Sequence, residues 1–256
     1  MTGEVLTGLI PRSIRVRYDS ARPASSSRAV TALAHDKALP VLLLLAAFSL
    51  NLVETAFEAH RSAGVTSRGL TIASGMHWLE GESAFENHDV SNVVAVYGFS
   101  AAYFVVFPLF VLITGLVLAR QADPRPFRAF GFALAIEYAC SLPFFLLFPV
   151  PERWTYPDAN AILLSDLWDS RLIELFRPMS ALDNCFPSFH TSMSVLIVLC
   201  CFVYRMNVRF VTLPVAVMIL LSTYALGIHW VGDIVAGSAL GVISMAAAHR
   251  LSVQKA

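Results

Sequence analysis

The chain has 256 residues and a formal net charge of zero; 57% of its residues are hydrophobic and only 14% are charged. Soluble domains carry about 25% charged residues, so the polar surface is too small for a soluble protein of this size. With no basic excess, nucleic acid is excluded from the expected partners.

Residues 1–38 contain Arg12, Arg15, Arg17, Arg22, Arg28 and Lys37, two prolines and a Ser25–Ser27 run. This composition predicts a solvated, disordered basic tail in the cytoplasm. The first apolar block begins near residue 39, too late for a secretory signal, so no cleavable leader is expected. Crossing a bilayer takes about 20 consecutive apolar residues as a helix. Six blocks approach that length: Leu39–Phe57, Val93–Leu118, Phe127–Val150, Phe186–Tyr204, Phe210–His229 and the shorter Ile234–Ala248. The expected fold is therefore all-α: a polytopic membrane protein whose six-transmembrane-helix bundle fills residues 39–250, followed by a short cytoplasmic tail over 251–256. No internal repeat and no second domain is visible.

Lys and Arg favour cytoplasmic loops. With the N-terminus inside, thirteen of them fall on cytoplasmic segments and five on outer ones. Both termini are thus expected in the cytoplasm of a plasma (inner) membrane. The outer loops are then residues 58–92, rich in acids, and 151–185. In the second, Leu163, Leu164, Leu167, Trp168, Leu172, Leu175 and Phe176 follow helical spacing, which predicts a short amphipathic helix in the outer interface or capping the bundle. Cys140, Cys185, Cys200 and Cys201 lie mostly in apolar blocks and form no CxxC; they read as small core residues, not as a disulfide framework or a zinc site.

Two segments carry chemistry. Asp183-Asn-Cys-Phe-Pro-Ser188-Phe-His190 opens the fourth block. Pro187 suits a first helical turn, which places Ser188 and His190 at a helix N-terminus, where free N–H groups seat phosphate. Tyr224-Ala-Leu-Gly-Ile-His229-Trp-Val-Gly-Asp233 joins the fifth and sixth. On a helix His229 and Asp233 share a face, so Asp233 holds one imidazole nitrogen and frees the other as nucleophile. Both histidines fall on the outer side, the arrangement wanted for phosphoryl transfer: His229 attacks phosphorus, and His190 protonates the leaving oxygen and then activates the incoming hydroxyl. Ser188 and Asn184 join the expected substrate-binding set, and its cations come from the second outer loop, where Arg153, Arg177 and Arg171 are near enough in sequence. His35, His60, His77, His88 and His249 read as ordinary polar groups near span ends.

The segments Phe186-Pro-Ser-Phe-His190 and His229-Trp-Val-Gly-Asp233, with Gly237, resemble the second and third signatures of the type 2 phosphatidic acid phosphatase superfamily. Leu147-Phe-Pro-Val-Pro-Glu-Arg153 resembles a Pro-rich segment of its inositolphosphorylceramide synthase-like branch. The resemblance implies a six-helix bundle and a site without metal or other cofactor, with His229 as nucleophile, His190 as acid and base, Asp233 as the orienting carboxylate and Ser188 on the phosphate. In phosphatases of this family an Arg stands six residues before the nucleophile; here it is Thr223, as in the synthase-like branch. The phosphatase-type first signature is absent, and only Arg177-Pro178 keeps its end.

The expected activity is transfer of a phosphate or phosphodiester from a lipid-linked donor to an alcohol such as an inositol-like head group. The alternative within the class is a lipid phosphate or polyprenyl diphosphate phosphatase using water. The alternative of another class is a non-enzymatic transporter, whose ionisable residues would cluster at mid-membrane; here only Glu137 is deep. Glu54 reads as interfacial, and Gly237-xxx-Gly241 as a helix-packing stripe. The partners expected are a membrane lipid substrate and the bilayer; nothing in the sequence bears on oligomeric state.

Overall fold

The computed structural model describes residues 27–58, 60–81, 93–167 and 183–254. Among them all regular structure is helical. In chain order the helices are α1 (Ser27–Glu58), α2 (Ala63–Glu80), α3 (Val93–Ala101), α4 (Phe107–Ala119), α5 (Arg125–Leu147), α6 (Phe189–Val203), α7 (Arg209–Ala225) and α8 (Val231–Gln254). A π-helical turn over Ala102–Val106 joins α3 to α4.

Every predicted apolar block lies on a helix. Four stretches are long and apolar enough to cross a membrane: Lys37–Phe57, Val94–Ala119, Arg125–Leu147 and Val231–Val253. The apolar helices α6 and α7 have 15 and 17 residues. The last block, the shortest by composition, becomes a helix of 24 residues. The fifth block was drawn through His229, but its helix stops at Ala225 because Gly227 turns the chain at φ 78°, a conformation that suits glycine. Helix α1 begins well before residue 39, and residues 1–26 and 255–256 lie outside the described part.

Helix α5 is central and packs against α1, α6 and α8; α6 also packs against α7 and α8. The main core is built from Phe127, Phe130, Leu134, Leu196, Ile197, Ile219 and Met245 of these helices. Leu42, Leu45, Phe48, Leu112, Ile113, Phe210, Val211, Leu221, Val235 and Ile243 instead point outward. An apolar exterior around a tight interior is what a hydrocarbon solvent demands. The protein is an integral membrane protein.

Helix α2 lies in what the sequence presents only as an acidic loop. It docks through Gly69, where an added Cβ would sit 1.6 Å from the Pro149 carbonyl oxygen. Ala73 and Met76 then join Val150, Cys185 and Trp230 in a small core. Of the predicted amphipathic helix in 163–176, only the start is described: a 3-10 turn over Leu164–Leu167, with Leu163 and Leu164 buried against Tyr103 and Leu226. Glu54 is buried, not interfacial. It bonds Arg61, which also reaches Asp183 and the Phe145 carbonyl. Glu137 is wholly buried next to Ser192 of α6. Cys200 and Cys201 are core residues, whereas Cys140 is exposed on α5.

The small-residue stripe on α8 does what its spacing predicts. A Cβ on Gly237 would lie 2.4 Å from the Ser188 carbonyl oxygen, and one on Gly241 2.5 Å from that of Ser192. The backbones of α6 and α8 therefore meet with no room for a methyl group. Gly237→Ala should lower thermal stability in detergent by about 1–3 kcal/mol, the usual cost of overpacking. An unchanged unfolding midpoint would show that the helices do not meet there.

Candidate active site

The α6–α8 contact brings the two signature segments together. Ser188 is the N-cap of α6: its hydroxyl accepts from the Thr191 N–H at 3.4 Å, and its own N–H donates to the Asp233 carbonyl at 3.1 Å. Pro187 accordingly precedes the cap and is not in the first turn, since α6 opens at Phe189. His190 is thus the second helical residue, in the turn whose amides have no helical acceptor.

His229 sits on the extended link between α7 and α8. Its N–H donates to the Thr223 carbonyl at 3.0 Å, and the carbonyls of Gly227 and Ile228 accept from Trp154 at 3.0 Å and Arg153 at 2.9 Å. The link is thus held on both sides. Asp233 occupies the third position of α8 and is wholly buried. Its Oδ2 accepts from the Trp230 N–H at 3.0 Å and lies 3.3 Å from His229 Nδ1. The carboxylate reaches back to the first free amide of the helix, as in a capping box. One oxygen so anchors both the helix start and the imidazole. The His190 and His229 rings face each other with centroids 5.9 Å apart.

His190 is also bracketed by aromatic rings that the sequence reading missed. Tyr103 stacks on it at 4.2 Å and 23°, and Phe107 lies at 4.3 Å. A π turn lies in this stretch. In it the Phe107 N–H bonds the Ala102 carbonyl, five residues back, and the next residue, Pro108, has no N–H with which to continue an α-helical ladder. Residues 103 and 107, four apart, lie on one face.

Arg153 is the predicted arginine that the structure brings to this end of the bundle. It is 4% exposed, lies 4.4 Å over the Tyr224 ring, and bonds the Tyr224 carbonyl at 3.5 Å. Arg171 and Arg177 lie outside the described residues. Asn184, expected on the substrate, follows Asp183, which Arg61 holds.

Glu80, at the end of α2, is a second residue the sequence did not single out. Its Oε1 accepts from the Gly232 N–H at 3.0 Å, satisfying another free amide of α8. Burial pushes its carboxyl above the usual carboxylate range; the Gly232 N–H and Arg153 pull it back, and Asp233 adds to the rise. His77 of α2 approaches the Tyr156 and Trp230 rings at 5.8 and 6.4 Å. Cys185, His229 and Asp233 come together, one ligand atom from each lying within 4.8 Å of the others.

The model of the PAP2 superfamily matches residues 93–255. The chain belongs to the PAP2 superfamily. That stretch takes in both histidines, Asp233 and Arg153, and leaves out α1 and α2. No curated protein and no solved structure matches the chain. Membership makes this PAP2 protein a phosphatase or phosphotransferase, of a kind that acts on lipid phosphates.

The aromatic bracket has a measurable consequence. Tyr103→Ala should lower turnover of a lipid phosphate by roughly 2–10-fold, the equivalent of the ~0.5–1.5 kcal/mol in an aromatic pair. Tyr103→Phe, which keeps the ring, should stay near the parent rate. Equal losses in the two variants would refer the effect to the hydroxyl.

Proposed function

We propose that this PAP2 enzyme transfers a phosphate or phosphodiester group from a lipid donor to an alcohol acceptor through a covalent intermediate on His229. The observation that carries this reading is the facing pair of imidazoles, 5.9 Å between centroids, with Asp233 behind the second. Asp233 accepts the Nδ1 proton, which leaves the Nε2 lone pair of His229 free to attack phosphorus. As the P–N bond forms, the bond to the lipid oxygen breaks and His190 delivers a proton to that oxygen. His190 then takes the proton of the acceptor hydroxyl, whose oxygen displaces His229 from phosphorus. Arg153 balances charge on the phosphate oxygens, and Ser188 presents the N-terminus of α6 to them.

Thr223 supports transfer over hydrolysis, because the cation arrives from the Pro-rich segment before α6 and not from α7. That delivery is the feature shared with the inositolphosphorylceramide synthase-like branch, so an inositol-like acceptor is the alcohol to test first. Water remains the competing acceptor. Six spans are supported by α6 and α7 lying among four longer apolar helices. The excess of Lys and Arg on one side supports cytoplasmic termini, with α2 and the histidines on the outer face of a plasma membrane.

Two experiments test these readings. His229→Ala should abolish turnover of labelled lipid phosphates in a folded protein, and His190→Ala should reduce it by roughly 10²–10⁴-fold; product analysis with and without added alcohols separates transfer from hydrolysis. Turnover surviving in His229→Ala would remove the covalent step. Separately, a cysteine in place of the exposed Ser74, in a Cys140→Ala background, should react with a membrane-impermeant maleimide added outside intact cells. Labelling only after lysis would invert the topology.

A further inference from the structure

We propose that Cys185, His229 and Asp233 form an inhibitory site for a soft divalent cation such as Zn2+ or Cd2+. Cys185 has no part in the transfer steps above, yet it is buried beside the nucleophile, with Sγ 3.6 Å from the Ile228 carbonyl oxygen. One ligand atom from each of the three lies within 4.8 Å of the others. His229 Nδ1 and Asp233 Oδ2 are already 3.3 Å apart. Asp233 supplies a second, independent sign: its other oxygen, Oδ1, is buried with no hydrogen-bond partner, although the residue is wholly inaccessible. An orphaned carboxylate oxygen in such a place is costly, and a bound cation would satisfy it.

The donor set selects the ion. Thiolate, imidazole and carboxylate are zinc ligands, held at about 2.0–2.3 Å from the metal and hence roughly 3.5 Å from one another in a tetrahedron. Closing the widest gap here takes a shift of about an ångström, within the reach of one cysteine rotamer. Mg2+ prefers six oxygens and finds one carboxylate. Charge balance favours the soft ion as well. Two positive charges meet one thiolate and one carboxylate, so the buried site is neutral overall, the condition under which ions are tolerated away from water.

Binding displaces the Cys185 thiol proton to solvent. The cation takes the Nδ1 lone pair, so the single proton of the neutral ring moves to Nε2, the atom that must attack phosphorus. The nucleophile is thereby disabled from behind while the phosphate position stays empty. Inhibition should accordingly lower kcat rather than raise KM. This inhibitory half rests on the proposed role of His229; cation binding does not.

The test uses the full chain purified in detergent. Cd2+ is titrated against the parent, Cys185→Ala, Cys185→Ser and Asp233→Asn, following thiolate-to-cadmium charge-transfer absorption. The parent should show a band that both Cys185 variants lack and that Asp233→Asn weakens, with Cys140, Cys200 and Cys201 present in all four as internal controls. In parallel, Zn2+ should suppress lipid-phosphate turnover reversibly with EDTA. The half-inhibitory concentration should rise about tenfold or more in Cys185→Ser. A band that persists in both Cys185 variants overturns the site, and unchanged zinc sensitivity overturns its inhibitory role. Cadmium bound through Cys185 in a protein inactive on lipid phosphates would uphold the site and sink the catalytic reading instead.

Discussion

How close α6 can come to α8 is set by two glycines, and the chemistry depends on that distance. Gly237 and Gly241 lie against the carbonyls of Ser188 and Ser192, and the Ser188 amide donates to the Asp233 carbonyl. The cap of the helix bearing His190 is thus fastened to the turn bearing His229 and Asp233. Two imidazoles from segments about forty residues apart in the chain are held one phosphate apart by backbone, not by flexible side chains. Membrane interiors offer little hydrophobic force between helices, so contact through small residues is what remains to fix such geometry.

Around this joint the free amides at the start of α8 are used economically. Asp233 closes on Trp230 and Glu80 closes on Gly232. Both acceptors are carboxylates, which the positive end of a helix favours, and Glu80 also feels the charge of Arg153. The site therefore contains its own compensating charges before any substrate enters. Preorganised charge of this kind is worth far more in a water-poor pocket than in solution. Helix α2, which contributes Glu80 and packs Met76 against Gly232, closes this side of the catalytic turn.

The apolar helices were legible because a bilayer imposes length: the predicted blocks became helices, and four of them are long and apolar enough to cross a membrane. The glycine stripe was legible because helical periodicity puts Gly237 and Gly241 on one face; His229 and Asp233 do meet, but not as helix neighbours, since His229 precedes α8 and the carboxylate reaches back to it from the first turn. Helix α2 was not legible, because Gly64, Gly69, Gly75 and its Ser and Thr residues obscure any stripe, and its fit to Pro149 is a tertiary event. Glu80 and Asp183 take partners more than a hundred residues away in the chain, Gly232 and Arg61, which no spacing rule encodes. Tyr103 and Phe107 carried no signal in an apolar block rich in aromatics, because their contact with His190 joins segments more than eighty residues apart in the chain.

The π turn fixes the arithmetic of the segment between α3 and α4. In an α-helix each residue advances the chain by about 100°, whereas the turn over Ala102–Val106 closes across five residues instead of four and so takes up one extra residue within a single turn. The α-helical stretches on either side have no such slack. An insertion or deletion in them would step the following rings about 100° around the axis, out of register with the histidine they cover, whereas substitutions on the outward flank leave that register alone.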